Sequence, residues 1–315
     1  MKHEREKTSS NTLAAVVVPN SADVTKFVRI EFLLLLISLV VFPACSPQSS
    51  TEPAPTTASE TPDSAVHSSP AEHGGGPVHW GYGEDDGPAN WAALSPDYAT
   101  CTSGREQSPI DIAAMTTGDQ VRLGRTYQAA TLKIIRQEHV SDVIDNGHTI
   151  QINYDEGSYL QLGEASYELK QYHFHAPSEH TIKGRHFPME MHLVHQSAAG
   201  DLAVLGVLID QGSHNPAFEP VWANLPDEAG EEVHIEHLAV NVDDLLPANH
   251  NTYRYRGSLT TPPCSEGVSW FVAVEPIALS ADQIAAFTSI FQGNNRPIQA
   301  LYDRAIFVDR VAEAE

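Results

Sequence analysis

The sequence predicts a β-rich domain with few helices, and two observations carry that expectation. Short segments with strand-like alternation or continuous apolar character recur at residues 149–154, 159–162, 169–175, 190–195, 203–210 and 268–274, divided by Gly, Pro and Asn turns. Helical patterning is confined to residues 216–223 and 281–291, and no internal repeat is visible. At 315 residues the chain is long enough for one large domain or two ordinary ones.

From the N terminus, residues 32–42 form an apolar run preceded by Lys26 and Arg29 and followed by Pro43, Ala44 and Cys45. A bilayer span needs about 20 such residues, so residues 1–44 read as a secretory signal rather than a membrane helix. The polar stretch before the run is long for such a signal, and an incorrectly chosen translation start is one explanation. Cys45 directly after Ala44 resembles the bacterial lipoprotein processing site, where the cysteine is lipidated and becomes the first mature residue. Phe42 and Pro43 depart from that pattern, and simple secretion is the alternative. Residues 45–76 are rich in Ser, Thr, Pro, Ala and Glu. Such a stretch buries too little apolar surface to offset the entropy of ordering, so a disordered tether is predicted there. The folded domain is then expected over 77–311, exported to the periplasm or cell envelope.

The net charge of −23 argues against nucleic acid as a partner, because phosphates would be repelled. It fits ordinary solvated carboxylates, or a surface adapted to salt.

The chemistry concentrates at Gln171-Tyr172-His173-Phe174-His175, answered downstream by Glu190-Met191-His192. In a strand, residues i and i+2 point to one face, so His173 and His175 project together while Tyr172 and Phe174 point the other way. A neighbouring strand can add His192 to the same face. Three imidazoles then occupy three corners of a tetrahedron and leave the fourth open, as a catalytic zinc site requires. An H-x-H pair alone is weak in a chain with 16 histidines. It gains force from its surroundings: His79-Trp80-Gly81-Tyr82, Gln107-Ser108-Pro109-Ile110, Asp145-Asn146-Gly147-His148, Ala176-Pro177-Ser178-Glu179-His180-Thr181 and Gly257-Ser258-Leu259-Thr260-Thr261-Pro262-Pro263-Cys264.

In this order, over roughly residues 77–310, these motifs resemble the alpha-class carbonic anhydrases. The resemblance implies a mainly β (α+β) fold, a large twisted and mostly antiparallel central sheet with short peripheral helices. It implies zinc on His173, His175 and His192, with a bound water acidic enough to attack carbon dioxide at neutral pH and give bicarbonate. Gln171, Asn294 (through its backbone carbonyl) and Glu190 match the residues that orient the three ligands. Thr260 and Glu179 match the pair that orients the nucleophile, the threonine hydroxyl donating to the carboxylate. Val194, Val204, Leu259, Thr261, Val268 and Trp270 match the substrate pocket, and His180 and Tyr255 a buried structural network. His148 matches the proton shuttle, suited to that work by an imidazole pKa near 6.5, with Tyr82, Asn146 and Gln151 lining the path. If Cys45 carries lipid, Cys101 and Cys264 remain, and the resemblance implies a disulfide between them that pins the Thr260 loop. Two other function classes stay in view: a non-catalytic surface binding module, which would typically lack a ligand histidine, and a zinc-binding protein. The oligomeric state is left open.

Overall fold

The computed structural model describes residues 78–309 except 119, 122, 138–148, 226–231 and 292. The secretory signal, the tether, Cys45, Asn146 and His148 therefore lie outside the described residues. Strands run in the order β1 (Asp111–Ile112), β2 (Thr116–Gly118), β3 (Leu123–Thr126), β4 (Ala130–Gln137), β5 (Thr149–Asn153), β6 (Tyr159–Leu162), β7 (Ala165–His175) and β8 (Thr181–Ile182). They continue with β9 (Met189–Ser197), β10 (Leu202–Gln211), β11 (Glu232–Val240), β12 (Thr252–Ser258), β13 (Glu266–Ala273), β14 (Ile277–Leu279) and β15 (Phe307–Asp309). All but β1 and β8 join one large sheet, whose main path is β11-β4-β5-β7-β9-β10-β13-β12-β15-β2. Within it only the β10–β13, β10–β14 and β15–β2 pairs run parallel. This is the mostly antiparallel sheet that was expected. Among the described residues no helix is long and apolar enough to cross a membrane.

Both faces of the central strands are covered, and side-chain alternation divides the work between them. On β9, Met189, Met191 and Leu193 enter a large apolar cluster with Tyr172 and Phe174 of β7. The intervening Glu190, His192 and Val194 face the other way, as do Gln171, His173 and His175. β7 and β9 are thus apolar on one side and chemical on the other. The peripheral helices are short. Ala281–Thr288 starts with a capping box in which Ser280 and Gln283 satisfy each other's backbone N–H groups. Residues 216–223 split into a 3-10 turn, Pro216–Phe218, and one α turn, Glu219–Trp222, with prolines where the first helical residues need no N–H donor. Strands β4, β11 and β12, and the short β1, β2, β3, β8, β14 and β15, coincide with none of the strand segments expected from alternation.

His195, also on β9, lies on the apolar side, fully buried and hydrogen-bonded through Nε2 to the Tyr127 hydroxyl at 2.9 Å. Burial lowers its pKa from the ordinary 6.5 to about 4. Below pH 6.5 the unfolded chain binds a proton that the folded chain refuses, so this residue's stabilising contribution falls as pH drops from 6.5 towards 4. Over that window the loss is about 3 kcal/mol. Urea unfolding of wild type and His195→Gln at about pH 7 and about pH 4.5 should show a steeper loss in wild type. Equal losses would contradict the assignment.

Candidate metal centre

Register sets the site. β7 and β9 pair antiparallel with His173 directly opposite His192 and His175 opposite Glu190, and a bulge between Leu169 and Gln171 adjusts the ladder just before the histidines. The three rings cluster with centroids 4.6–5.3 Å apart, and their ligand nitrogens lie within 4.8 Å of one another. All three side chains are buried.

Each ring is held from behind. His173 Nδ1–H donates to Gln171 Oε1 at 2.8 Å, His175 Nδ1–H to the Asn294 carbonyl at 2.7 Å, and His192 Nε2–H to Glu190 Oε1 at 2.9 Å. Fixing one nitrogen as donor leaves the other with its lone pair: Nε2 on His173 and His175, Nδ1 on His192. Burial, then the neighbouring histidines, holds His173 well below the ordinary histidine pKa. Burial also lowers His175, against the opposing pull of Glu179. Burial would lower His192 as well, but Glu190 and Glu179 outweigh it and raise its pKa. Although burial opposes it, Glu190 is kept ionised, well below the carboxylate range, by His180 and His192.

The donor set fits a metal ion of the zinc type: three imidazoles with lone pairs converging, borderline-soft nitrogen ligands and no carboxylate among them. A second observation agrees. His175 Nε2 and Glu179 Oε2 are both buried without a hydrogen-bond partner. They lie 3.7 Å apart. Two orphaned polar atoms facing one point are costly unless something there satisfies them. His180, Glu190 and His192 also lie close together. That trio is already consumed by internal hydrogen bonds, with His180 Nδ1 donating to Glu190 at 2.7 Å and Tyr255 O–H donating to His180 Nε2 at 2.6 Å. Ser108 continues the chain to Tyr255 at 2.8 Å.

Thr260 and Glu179 depart from expectation. Glu179 Oε1 accepts from the Arg296 backbone N–H at 2.8 Å, and Oε2 turns towards His175 and His192, 3.7 and 3.9 Å away. Oε2 accepts no hydrogen bond, and the expected threonine-to-glutamate bond is not formed. Thr260 instead lines a narrow cavity with His173, His192, Val194, Val204, Leu259, Thr261 and Trp270. The cavity has room for about one water-sized molecule. Its apolar wall follows from register: Val194 opposes Val204, which opposes Trp270. Val268 packs in the same cluster but does not line the cavity. Gln151 sits opposite His173 and donates to Asn153 at 2.7 Å. Tyr82 lines a separate cavity with Asn294.

The Cys101–Cys264 bridge is formed, closing 163 residues. In the chain-entropy view it stabilises the fold by up to about 5 kcal/mol. It sits beside the loop whose turn is closed by Leu259 N–H to Ser265 O and Cys264 N–H to Thr261 O.

Two residues that sequence reasoning passed over prove important. Gly206 opposes His192, and a Cβ there would come within 2.9 Å of Glu190 Oε1, so glycine gives the carboxylate its space. Arg296 is fully buried and clasps the Ser108 and Cys101 carbonyls and Gln107 Oε1 at 2.6–2.9 Å. The Asn294-Asn295-Arg296-Pro297 context was its only sequence signal.

Comparisons with known proteins agree with this geometry. A family model described as eukaryotic-type carbonic anhydrase matches residues 86–310. A carbonic anhydrase from Nostoc sp. is 43% identical over 234 residues, covering 73% of this chain and 85% of that protein. One from Pectobacterium carotovorum is 41% identical over 230 residues, covering 73% and 90%. The solved alpha-carbonic anhydrase of Thermovibrio ammonificans, in complex with the inhibitor sulfanilamide, superposes with a TM-score of 0.69 at 39% identity. It matches 74% of this chain and all of that one.

Proposed function

Because the chain belongs to the eukaryotic-type, alpha-class carbonic anhydrase family, we propose that it hydrates carbon dioxide reversibly to bicarbonate and a proton with a zinc ion on His173, His175 and His192. The observation that carries this reading is the convergence of three back-tethered imidazoles beside a small apolar cavity. Zinc, when bound, supplies a nucleophile at neutral pH by lowering the pKa of its water to about 7, a value established for carbonic anhydrases themselves.

The protein's own groups do the rest. Gln171, Asn294 and Glu190 hold the rings in one tautomer and one orientation, so little reorganises during turnover. Val194, Val204, Leu259 and Trp270 offer carbon dioxide an apolar wall, which suits a small molecule without charge. Val268 supports that wall from behind. Thr260 and Thr261 supply the polar side of the cavity. Orientation of the attacking group is assigned to Thr260, at the cavity wall, and to Glu179 Oε2, which faces His175 and His192, each acting without a hydrogen bond to the other. Each cycle leaves a proton to export, and we assign that relay to His148, with Asn146, Gln151 and Tyr82 along the path.

Two experiments separate these assignments. Filling the cavity with Val204→Phe should cut kcat/KM for carbon dioxide by at least about tenfold while metal content stays at one per chain. An unchanged kcat/KM would place the substrate elsewhere. His148→Ala should slow turnover in weak buffer and recover with added imidazole; an unchanged rate in weak buffer would remove His148 from the relay.

The oxidised Cys101–Cys264 pair supports export to an oxidising compartment, since such bridges are rare in the cytosol. We assign residues 1–44 to the export signal, 45–76 to a tether and 77–311 to the enzyme domain, with Cys45 as the lipid attachment point. Mass spectrometry of the mature N terminus decides between a lipidated Cys45 and simple cleavage.

A further inference from the structure

The face of the sheet opposite the histidines carries a second feature. On β12, Tyr255 belongs to the cluster around the metal centre, so its neighbours Arg254 and Arg256 point to the other side. There Arg254 opposes Phe271 on β13 and Phe307 on β15, and Arg256 opposes Ser269. This row forms part of a cleft of about 620 Å³, the size that suits a small organic ligand. Five large apolar side chains are exposed among the described residues, and three of them, Val121, Tyr302 and Phe307, line this cleft.

Charge here runs against the rest of the molecule. The chain has 18 Lys and Arg against 41 Asp and Glu. Yet the cleft is lined by Arg105, Arg254, Arg256 and Arg304, with only Glu106 and Asp303 as carboxylates. Two of the arginines are built in. Arg304 donates to the carbonyls of Leu301, Arg256 and Ala300, and Arg254 to Thr252 Oγ1 and the Val121 carbonyl. The other two are exposed. Arg105 stacks on the Tyr302 ring at 4.3 Å, and Arg256 spends one N–H on Ser269 Oγ at 2.8 Å. A guanidinium has five donors, so both keep N–H groups for an incoming anion.

We propose that this cleft is a binding site for an amphipathic organic anion, with its carboxylate or sulfonate at Arg105 and Arg256 and its apolar body against Tyr302, Phe307 and Val121. A surface of net charge −23 repels anions generally. A local inversion of sign over an apolar floor is therefore a selective feature, and it favours a ligand with both a charge and a greasy body. The cleft shares only Trp270 with the lining of the metal-side cavity, and the proposal is independent of the reading given for that centre.

The test is calorimetric titration of the purified full-length chain with naphthoate and with its neutral carboxamide. Naphthoate should bind, and the carboxamide at least about tenfold more weakly. Arg105→Gln/Arg256→Gln should lose at least about tenfold in naphthoate affinity, with carboxamide affinity and carbon dioxide hydration unchanged. Arg256→Glu should abolish naphthoate binding, and circular dichroism would verify folding of each variant. Equal affinity for the two probes would overturn the proposal. So would naphthoate binding indifferent to both arginines, which would place the anion at the metal centre. A chain that dimerises in sedimentation, binds no naphthoate and becomes monomeric as Arg256→Glu would show that the cleft is covered by a second copy instead.

Discussion

Replacing His175 with alanine should remove bound metal and lower carbon dioxide hydration by at least about a thousandfold. Two remaining imidazoles cannot hold an open tetrahedral site with useful affinity. The same outcome is expected for His173→Ala and His192→Ala, but the three differ in their side effects. His175 donates to a backbone carbonyl and His173 to an amide, so their loss leaves neutral groups unpaired. His192 donates to the buried Glu190. Removing it leaves that carboxylate with the His180 Nδ1–H and backbone N–H as its remaining donors, and losing one hydrogen bond to a buried carboxylate costs about 1.5–3 kcal/mol. His192→Ala should therefore lose stability as well as metal, while His173→Ala and His175→Ala should lose mainly metal. Metal analysis and stopped-flow hydration on each folded variant check this. Retention of both metal and activity in any one of the three would refute the ligand set.

Arg296→Met should be nearly as damaging without touching the metal or the substrate. The guanidinium ties its own segment to one distant stretch of chain, residues 101–108, through the Cys101 carbonyl by the disulfide, the Ser108 carbonyl and the Gln107 side chain. It also lies over the Trp91 ring at 5.6 Å. Burial lowers its pKa to about 10, against the raising effect of Glu179 and Tyr82, so it stays charged at neutral pH. Its own backbone N–H fixes Glu179, and two residues earlier the Asn294 carbonyl fixes His175. Methionine has a stem of similar length and none of the donors. Three buried acceptors would lose their partner at about 1–3 kcal/mol each before relaxation, so a total loss of about 3 kcal/mol or more is expected. Because the 294–296 segment would loosen, metal affinity should also fall by about 10–100-fold. Chemical denaturation reads the first effect and competition with a chelator the second. Lost stability with unchanged metal affinity would make Arg296 a purely structural residue.

Much of the centre was legible in sequence because its geometry is local. A strand's period of two puts Gln171, His173 and His175 on one face without further information, and it does the same for Glu190, His192 and Val194. What sequence could not supply was the junction between distant segments. Nothing local tells that Arg296 reaches Cys101, or that Gly206 must be small because it lies opposite His192. The Thr260–Glu179 pairing was expected by resemblance, and the structure instead gives one carboxylate oxygen to the Arg296 backbone and turns the other towards two imidazoles. In the fold, the segments at 159–162 and 203–210 stand out as continuous or alternating apolar runs and became β6 and β10. β12 did not, because Thr-Tyr-Arg-Tyr-Arg-Gly-Ser alternates aromatic with cationic residues and lacks the aliphatic run that marks the other central strands, although Tyr255 is buried in the core. The helical pattern at 281–291 overran the helix, which ends at Thr288, because Phe287 and Phe291 both pack into the core.

On the proposed reading, metal on His173, His175 and His192 is what makes this chain an enzyme. The most direct measurement is stopped-flow carbon dioxide hydration by the purified domain, before chelation, after it, and after adding back zinc. About one zinc per chain is expected, with hydration falling to the uncatalysed rate on its removal and recovering on its return. Full activity in the chelated, metal-free protein would contradict that reading.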